Sequence, residues 1–133
     1  MSAALAALPR GHEFPPTTFT LWPEWVATYI DAVGDAAIRD AGPGLVPPMA
    51  VAAVSIRALI EASPLPPGTL HAGQELAFHR ALRIGEELTV AARIVSRGER
   101  AGWVLLSVDF SVSSGREPVM TGRATVTFPV SDA

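Results

Sequence analysis

The sequence predicts an α+β domain, a largely antiparallel sheet curled round one very apolar helix. Three observations predict it. The run from Pro48 to Ala62 holds nothing that breaks a helix and is apolar almost all round, the pattern of a helix covered by other elements. Three long segments, "EELTVAARIVSRGER", "GWVLLSVDFSVSS" and "EPVMTGRATVTFP", alternate apolar and polar residues, the period-two signature of strands with one buried face. The joints between them, Arg97–Gly102 and Ser113–Pro118, carry glycine and read as hairpin turns.

The elements follow in order. The first dozen residues are expected to be loosely ordered, so residues 1–13 read as a tail and 14–130 as one domain. "PPTTFTL" (Pro15 to Leu21) is β-branched and aromatic and reads as a first strand. In "WPEWVATYIDAVGD", Pro23 and Glu24 suit a helix start and Gly34 its end. Trp25, Val26, Tyr29, Ile30 and Val33 share one face of that helix. "AAIRDAGPGLVPP" is a Gly/Pro loop. The central helix runs about 22 Å from Pro48 and is stopped by "SPLPPGT". "HAGQELAFHRAL" holds the next strand. In the three long strands the inward positions are Leu88, Val90, Ala92 and Ile94; Val104, Leu106, Val108, Phe110 and Val112; and Met120, Gly122, Ala124, Val126 and Phe128. The sheet covers one side of the central helix. In a chain of 133 residues a second subunit is the economical cover for the other side.

Composition narrows the function. The chain is 49% hydrophobic and 17% charged, which places it among globular proteins. A net charge of −3 supplies no basic face for nucleic acid. The chain has no cysteine, so a disulfide scaffold, a thiolate metal site and a Cys nucleophile are excluded; a cytoplasmic setting is expected. "MSAALAALPRGHEF" has no basic stretch ahead of its apolar run and does not read as a signal peptide. No stretch reaches the roughly 20 apolar residues of a membrane span. There is no Gly-rich phosphate loop, no Gly-x-Ser-x-Gly elbow and no His/Asp/Glu cluster at metal spacing. No metal and no cofactor is expected.

"GLVPPMAVAAV", "TLHAGQELAFHRALRIGEELTVAARIVS" and "GWVLLSVDFSVSSGREPVMTGRATVTF" together resemble the MaoC-type acyl-thioester dehydratases and hydratases. The similarity is to their N-terminal half-domains and to the small subunits of mycobacterial-type hydroxyacyl dehydratases. It covers about Phe14 to Phe128, and its most specific part is the run from Leu70 to Leu88. The resemblance implies a hot-dog fold, as a homodimer or as a heterodimer with a related chain. It implies binding of an acyl group carried on coenzyme A or acyl carrier protein. It also implies addition or removal of water across the 2,3-bond, by an Asp and a His in a motif like Gly-Asp-x-Asn-Pro-x-His before the central helix.

Residue by residue the match is partial. "VGD" places Asp35 where the motif has its Asp, but Ala36, Ala37, Ile38 and Arg39 follow, with no Asn-Pro and no His. The loop therefore lacks the group best suited to move a proton near neutral pH. Asp35 is either that carboxylate or an ordinary turn residue. The histidines are His12, His71 and His79. His71 stands where similar chains carry a His; it is a candidate catalytic group or substrate contact, or a strand-start histidine bonded to backbone. Gln74 is a candidate substrate contact beside it. Pro47 and Pro48 have no N–H, so the donors that could hold a thioester oxygen at the helix mouth begin at Met49, Ala50 and Val51; Pro48 is also simply a good helix starter. Arg80 or Arg83 could meet a carrier phosphate or form a solvated rim, and Trp22 and Trp25 could cap an acyl pocket.

Three functions stay open. One is a subunit that shapes the acyl tunnel while a partner with an intact Asp/His loop does the chemistry. The second is a self-sufficient dehydratase or hydratase using Asp35 and His71. The third is a thioesterase on the same fold.

Overall fold

The computed structural model describes residues 5–34, 37 and 44–130. Asp35, with most of the loop that carries it, lies outside the described residues. The described elements are a 3-10 turn at Leu5–Ala7, β1 (Glu13–Thr20), α1 (Pro23–Val33), β2 (Leu45–Val46), α2 (Pro48–Ala62), β3 (Leu70–Phe78), β4 (Leu82–Arg83), β5 (Glu87–Arg100), β6 (Trp103–Ser114) and β7 (Glu117–Pro129). Five strands form one antiparallel sheet in the order β1-β5-β6-β7-β3, and β2 pairs with β4 apart from it.

The meander β5-β6-β7 follows from the alternation. Leu88, Val90, Ala92 and Ile94 of β5 and Val104, Leu106, Val108, Phe110 and Val112 of β6 are all buried. In β7, Met120 and Phe128 are buried, while Gly122, Ala124 and Val126 keep partial exposure near the sheet's β3 side. The β5–β6 turn puts both Ala101 (φ 54°) and Gly102 (φ 84°) in the left-handed region. That is the backbone of a two-residue hairpin turn whose twist matches the flanking strands.

Both helices keep their predicted starts. Proline opens each, and Gly34 closes α1 in the left-handed conformation with its N–H on the Ile30 carbonyl. The burial differs from the expectation at two places. Val33 is exposed, because α1 buries only Val26 and Ile30 deeply. The helix α2 turns Ala50, Val51, Ala52 and Ser55 into the core and leaves Met49, Ala53 and Ile60 exposed. It is central, with one face covered by the sheet.

Residues 5–12, expected as part of a loose tail, lie against the sheet and helix in this structure. Leu5 and Leu8 are buried. The Arg97 guanidinium donates to the Ala6 and Leu8 carbonyls at 2.9 and 3.2 Å. Gly11 N–H donates to Ile94 O at 2.8 Å, and Ile94 N–H to His12 O at 2.9 Å. Small apolar residues followed by Pro9 do not announce a helix or strand, but two leucines still find core sites.

Two irregularities in the sheet decide what faces the helix. In β5 the register shifts between Ile94 and Ser96, and in β3 between His71 and Gly73. An extra residue in one strand reverses the facing of everything beyond it. Val95 and Ala72 are those extra residues. His71, Val126, Leu106 and Arg97 thereby fall in one cross-strand row. Because Leu106 is an inward, fully buried residue, the row faces the helix side, and His71 and Arg97 stand at its two ends.

Candidate functional site

The helix mouth offers fewer donors than its sequence suggests. Pro47 precedes α2 and Pro48 is its first residue. The Ala50 N–H donates to the Pro47 carbonyl at 3.0 Å, so it is already engaged. Ala50 and Val51 place their side chains wholly in the core, whereas Met49 is 54% exposed. Of the four residues Pro48, Met49, Ala50 and Val51, the first two are exposed and the last two are buried.

A second feature lies toward the other end of α2. An apolar cavity of about 190 Å³ opens between the C-terminal half of the helix and the inner face of the sheet. Ile56 and Leu59 form its helix wall, and Val108, Ala124 and Val126 its sheet wall. Leu5 and Phe14 also line it, and Ile60, Leu65 and His71 stand at its exposed side. The volume exceeds the roughly 150 Å³ that takes a benzene molecule in an engineered apolar cavity. Its lining is almost wholly apolar, with the imidazole of His71 on its border. Three polar residues border it: Ser63, Thr69 and His71. The Thr69 hydroxyl already donates to the Pro66 carbonyl at 2.6 Å.

Gln74 sits on the same inner face, in register with the cavity residue Ala124. Its Nε2 donates to the Arg123 carbonyl at 3.3 Å. Its Oε1 is buried and has no hydrogen-bond partner. A buried acceptor left unmet is costly, so Gln74 is ready to accept from an amide N–H or a hydroxyl. Glu75 is exposed on the outer face, as alternation requires.

The structure thus brings His71 to the cavity beside the C-terminal half of the helix, sets Gln74 further along β3 on the same sheet face, and leaves Pro48 to Val51 at the helix's other end. None of those four helix-mouth residues lines the cavity. Asp35 cannot be placed against either group, since it lies outside the described residues.

Other candidates are placed elsewhere. Trp22 and Trp25 line a separate groove between β1 and α2, with Thr17, Thr20, Val54 and Arg57; they do not cap the cavity beside His71. Arg80 is engaged within the protein. Its guanidinium meets Glu86 at 2.7 and 3.3 Å and Glu117 at 3.1 Å. The hydrogen bond to Glu86, chiefly, raises Arg80 above its ordinary pKa, and Arg80 in turn lowers Glu86. On the outer face, the Arg123 guanidinium donates to Asp109 at 2.6 and 3.1 Å, which holds the Asp109 carboxyl below the usual carboxylate range. Among the described residues no three His, Asp or Glu side chains gather as a metal site, and no helix is long and apolar enough to cross a membrane.

Sequence reasoning missed Leu5 as a cavity residue and Arg97 as the residue that holds the segment carrying it. Leu5 carries no signal beyond being apolar. Arg97 is three residues past the inward Ile94, so plain alternation would face it outward, and its charge gives no hint of the bulge that turns it inward.

Comparison with known proteins follows from this geometry. No curated protein matches the sequence. Solved structures match over nearly the whole chain. A MaoC-like dehydratase from Rhodospirillum rubrum superposes with a TM-score of 0.78 at 19% identity, covering 98% of this chain and 99% of that one. The C-terminally truncated HadBC complex, a 3R-hydroxyacyl-ACP dehydratase from Mycobacterium tuberculosis, gives 0.73 at 20% identity, covering 93% and 100%. The (R)-hydratase from A. caviae involved in PHA biosynthesis gives 0.72 at 20% identity, covering 92% and 98%. These likenesses establish the hot-dog fold. A family model described as the FAS1-like dehydratase domain region matches residues 10–121. With most of its length inside that match, the chain belongs to the FAS1-like dehydratase domain family.

Proposed function

We propose that this chain binds an acyl thioester, carried on coenzyme A or acyl carrier protein, as a hot-dog subunit of the 3-hydroxyacyl dehydratase or 2-enoyl hydratase type. The observation that carries the reading is the apolar cavity beside α2, bordered by His71 and neighboured by the unmet acceptor of Gln74. An acyl tail is an apolar chain that would fill the cavity. The carrier's arm bears amide N–H groups, which suit the Gln74 oxygen. Hydration needs a base to take a proton from water as its oxygen bonds to C3, and an acid to deliver a proton to C2. The loop from Gly34 to Arg39 has a carboxylate in Asp35 but no histidine. We therefore assign the chain the role of shaping the acyl tunnel, with a related hot-dog chain completing the acid/base pair in a dimer.

A second reading is favoured by one feature. The bulge at Ala72 sets His71 on the cavity side of the sheet. A histidine there has a ring nitrogen that can give or take a proton, and with Asp35 it would make a self-sufficient hydratase. A cytoplasmic setting goes with either reading.

The test is turnover of 2-enoyl-CoA thioesters by the purified chain, with Asp35→Asn and His71→Ala variants beside it. Loss of enoyl absorbance that collapses in both variants makes the chain an independent hydratase. Acyl-CoA binding without turnover, with activity appearing on addition of a related chain that has the full loop, supports the subunit role. Release of free thiol without hydration makes it a thioesterase. A folded chain that neither binds nor turns over any acyl thioester overturns the acyl reading altogether.

A further inference from the structure

We propose that the N-terminal segment from Leu5 to Leu8 is a stop across the apolar cavity that limits the length of acyl chain it accepts, with Arg97 as the positioning residue that holds it. This rests on reading the cavity as the acyl site. Leu5 is both buried and a lining residue of the cavity. Its N–H donates to the Pro64 carbonyl at 3.3 Å, which ties the segment between Ser63 and Leu65, two further lining residues. The opposite side of the segment hangs on one guanidinium, through Ala6 O at 2.9 Å and Leu8 O at 3.2 Å.

The arrangement of Arg97 makes this a built contact. The bulge at Val95 turns Arg97 onto the helix side of the sheet, in the row with Leu106 and Val126. A cation facing that side needs partners. Main-chain carbonyls supply them without neutralising it, so the interaction stays charge-assisted. Beyond Leu8 the chain is fixed again, by the Gly11 and His12 bonds to Ile94 and by the His12 ring standing edge-on to Phe14 at 5.1 Å. Phe14 itself lines the cavity. The segment is therefore anchored where it joins β1, and Arg97 and Leu5 decide how firmly the rest lies over the cavity.

By comparison with benzene in a roughly 150 Å³ cavity, the space as it stands suits an acyl tail of about six carbons. Loosening the segment should let longer tails through while leaving the walls intact. Leu5→Ala shortens the stop, and Arg97→Met removes its donors while keeping an apolar stem.

The experiment measures binding of saturated acyl-CoAs, from butyryl to dodecanoyl, to the purified full chain by calorimetry, with thermal melts to confirm folding. The expected result is a length ceiling in the unaltered protein. Either variant should raise the affinity for decanoyl-CoA at least tenfold relative to that for butyryl-CoA. If either variant fails to fold, the other carries the same prediction. A ceiling that both folded variants leave in place overturns the stop and keeps the acyl cavity. Absence of any acyl-dependent affinity, or affinity that filling the cavity by Ala124→Leu does not reduce, overturns the cavity reading and the stop with it.

Discussion

At Gly122 the sheet allows no side chain at all. A Cβ built there would stand 2.8 and 2.9 Å from the Cε1 and Cε2 atoms of the Phe110 ring, and nearer still to Cζ. Phe110 is its register partner on β6 and is buried, so the ring lies across the glycine and has little room to retreat. The glycine serves close packing here, since its φ is not in the left-handed region. Gly122→Ala should cost about 1–3 kcal/mol by overpacking and lower the melting temperature by roughly 5–10 °C. Adding Phe110→Leu should return part of that loss, so that the double variant is more stable than the sum of the two single changes. A double-mutant cycle on urea unfolding measures this coupling directly. Additive effects would mean that the ring and the glycine do not meet.

Between elements, one carboxylate does most of the fastening at the sheet's β4 end. Glu86 lies between β4 and β5. It accepts from Arg80, from the Arg83 N–H at 2.7 Å and from the Ser114 hydroxyl at 3.1 Å, while Arg80 also reaches Glu117 at the start of β7. The β3–β4 connection, the end of β6 and the start of β7 are thus joined through two ion pairs that share Arg80. The Arg80 hydrogen bond above all lowers the Glu86 pKa. A depressed carboxylate stabilises the fold above its unfolded value of about 4.3 and loses that contribution as the pH falls through its lower folded value. Glu86→Gln should therefore lower the melting temperature at pH 7, by about 1–2 kcal/mol in stability, and flatten the decline of stability on acidification below about pH 4.3. Thermal melts from pH 7 to pH 2.5 test both. A variant with an unchanged acid limb would remove Glu86 from that role. The fastening was only half legible in the sequence, where Arg80 read as a rim cation or a phosphate contact. Alternation does show which faces of β5, β6 and β7 are apolar, because side-chain direction is local. Helix starts at Pro23 and Pro48 were legible for the same reason. A guanidinium's partner 37 residues away is a product of the fold, and so are the bulges at Val95 and Ala72. A bulge adds one residue without changing composition, so nothing in "IVSRG" or "LHAGQ" announces that Arg97 and His71 turn inward.

At the scale of the whole molecule, the exposed apolar residues argue for a second chain. β3 is an edge strand of the sheet, and Leu70 and Phe78 near its two ends are 58% and 40% exposed. Met49 and Ile60 are exposed on α2. An unpaired strand edge with apolar residues invites pairing with another strand, and a two-fold dimer satisfies it with the same surface twice. Pairing there would also stand next to His71 and Gln74, both on β3, so the candidate site would be finished by the partner. We expect the double variant Leu70→Lys/Phe78→Lys to place like charges on both copies of that edge and split the dimer. Light scattering should then read a mass near the 14.0 kDa of one chain, where the unaltered protein reads double, with the far-UV spectrum unchanged. A mass that stays double would move the seam to the exposed face of α2, and Met49→Lys would become the disrupting change. If the unaltered chain is already single, a homodimer is excluded. On the subunit reading the completing chain is then a different hot-dog protein, and co-purification with one that carries the full Asp/His loop becomes the deciding measurement.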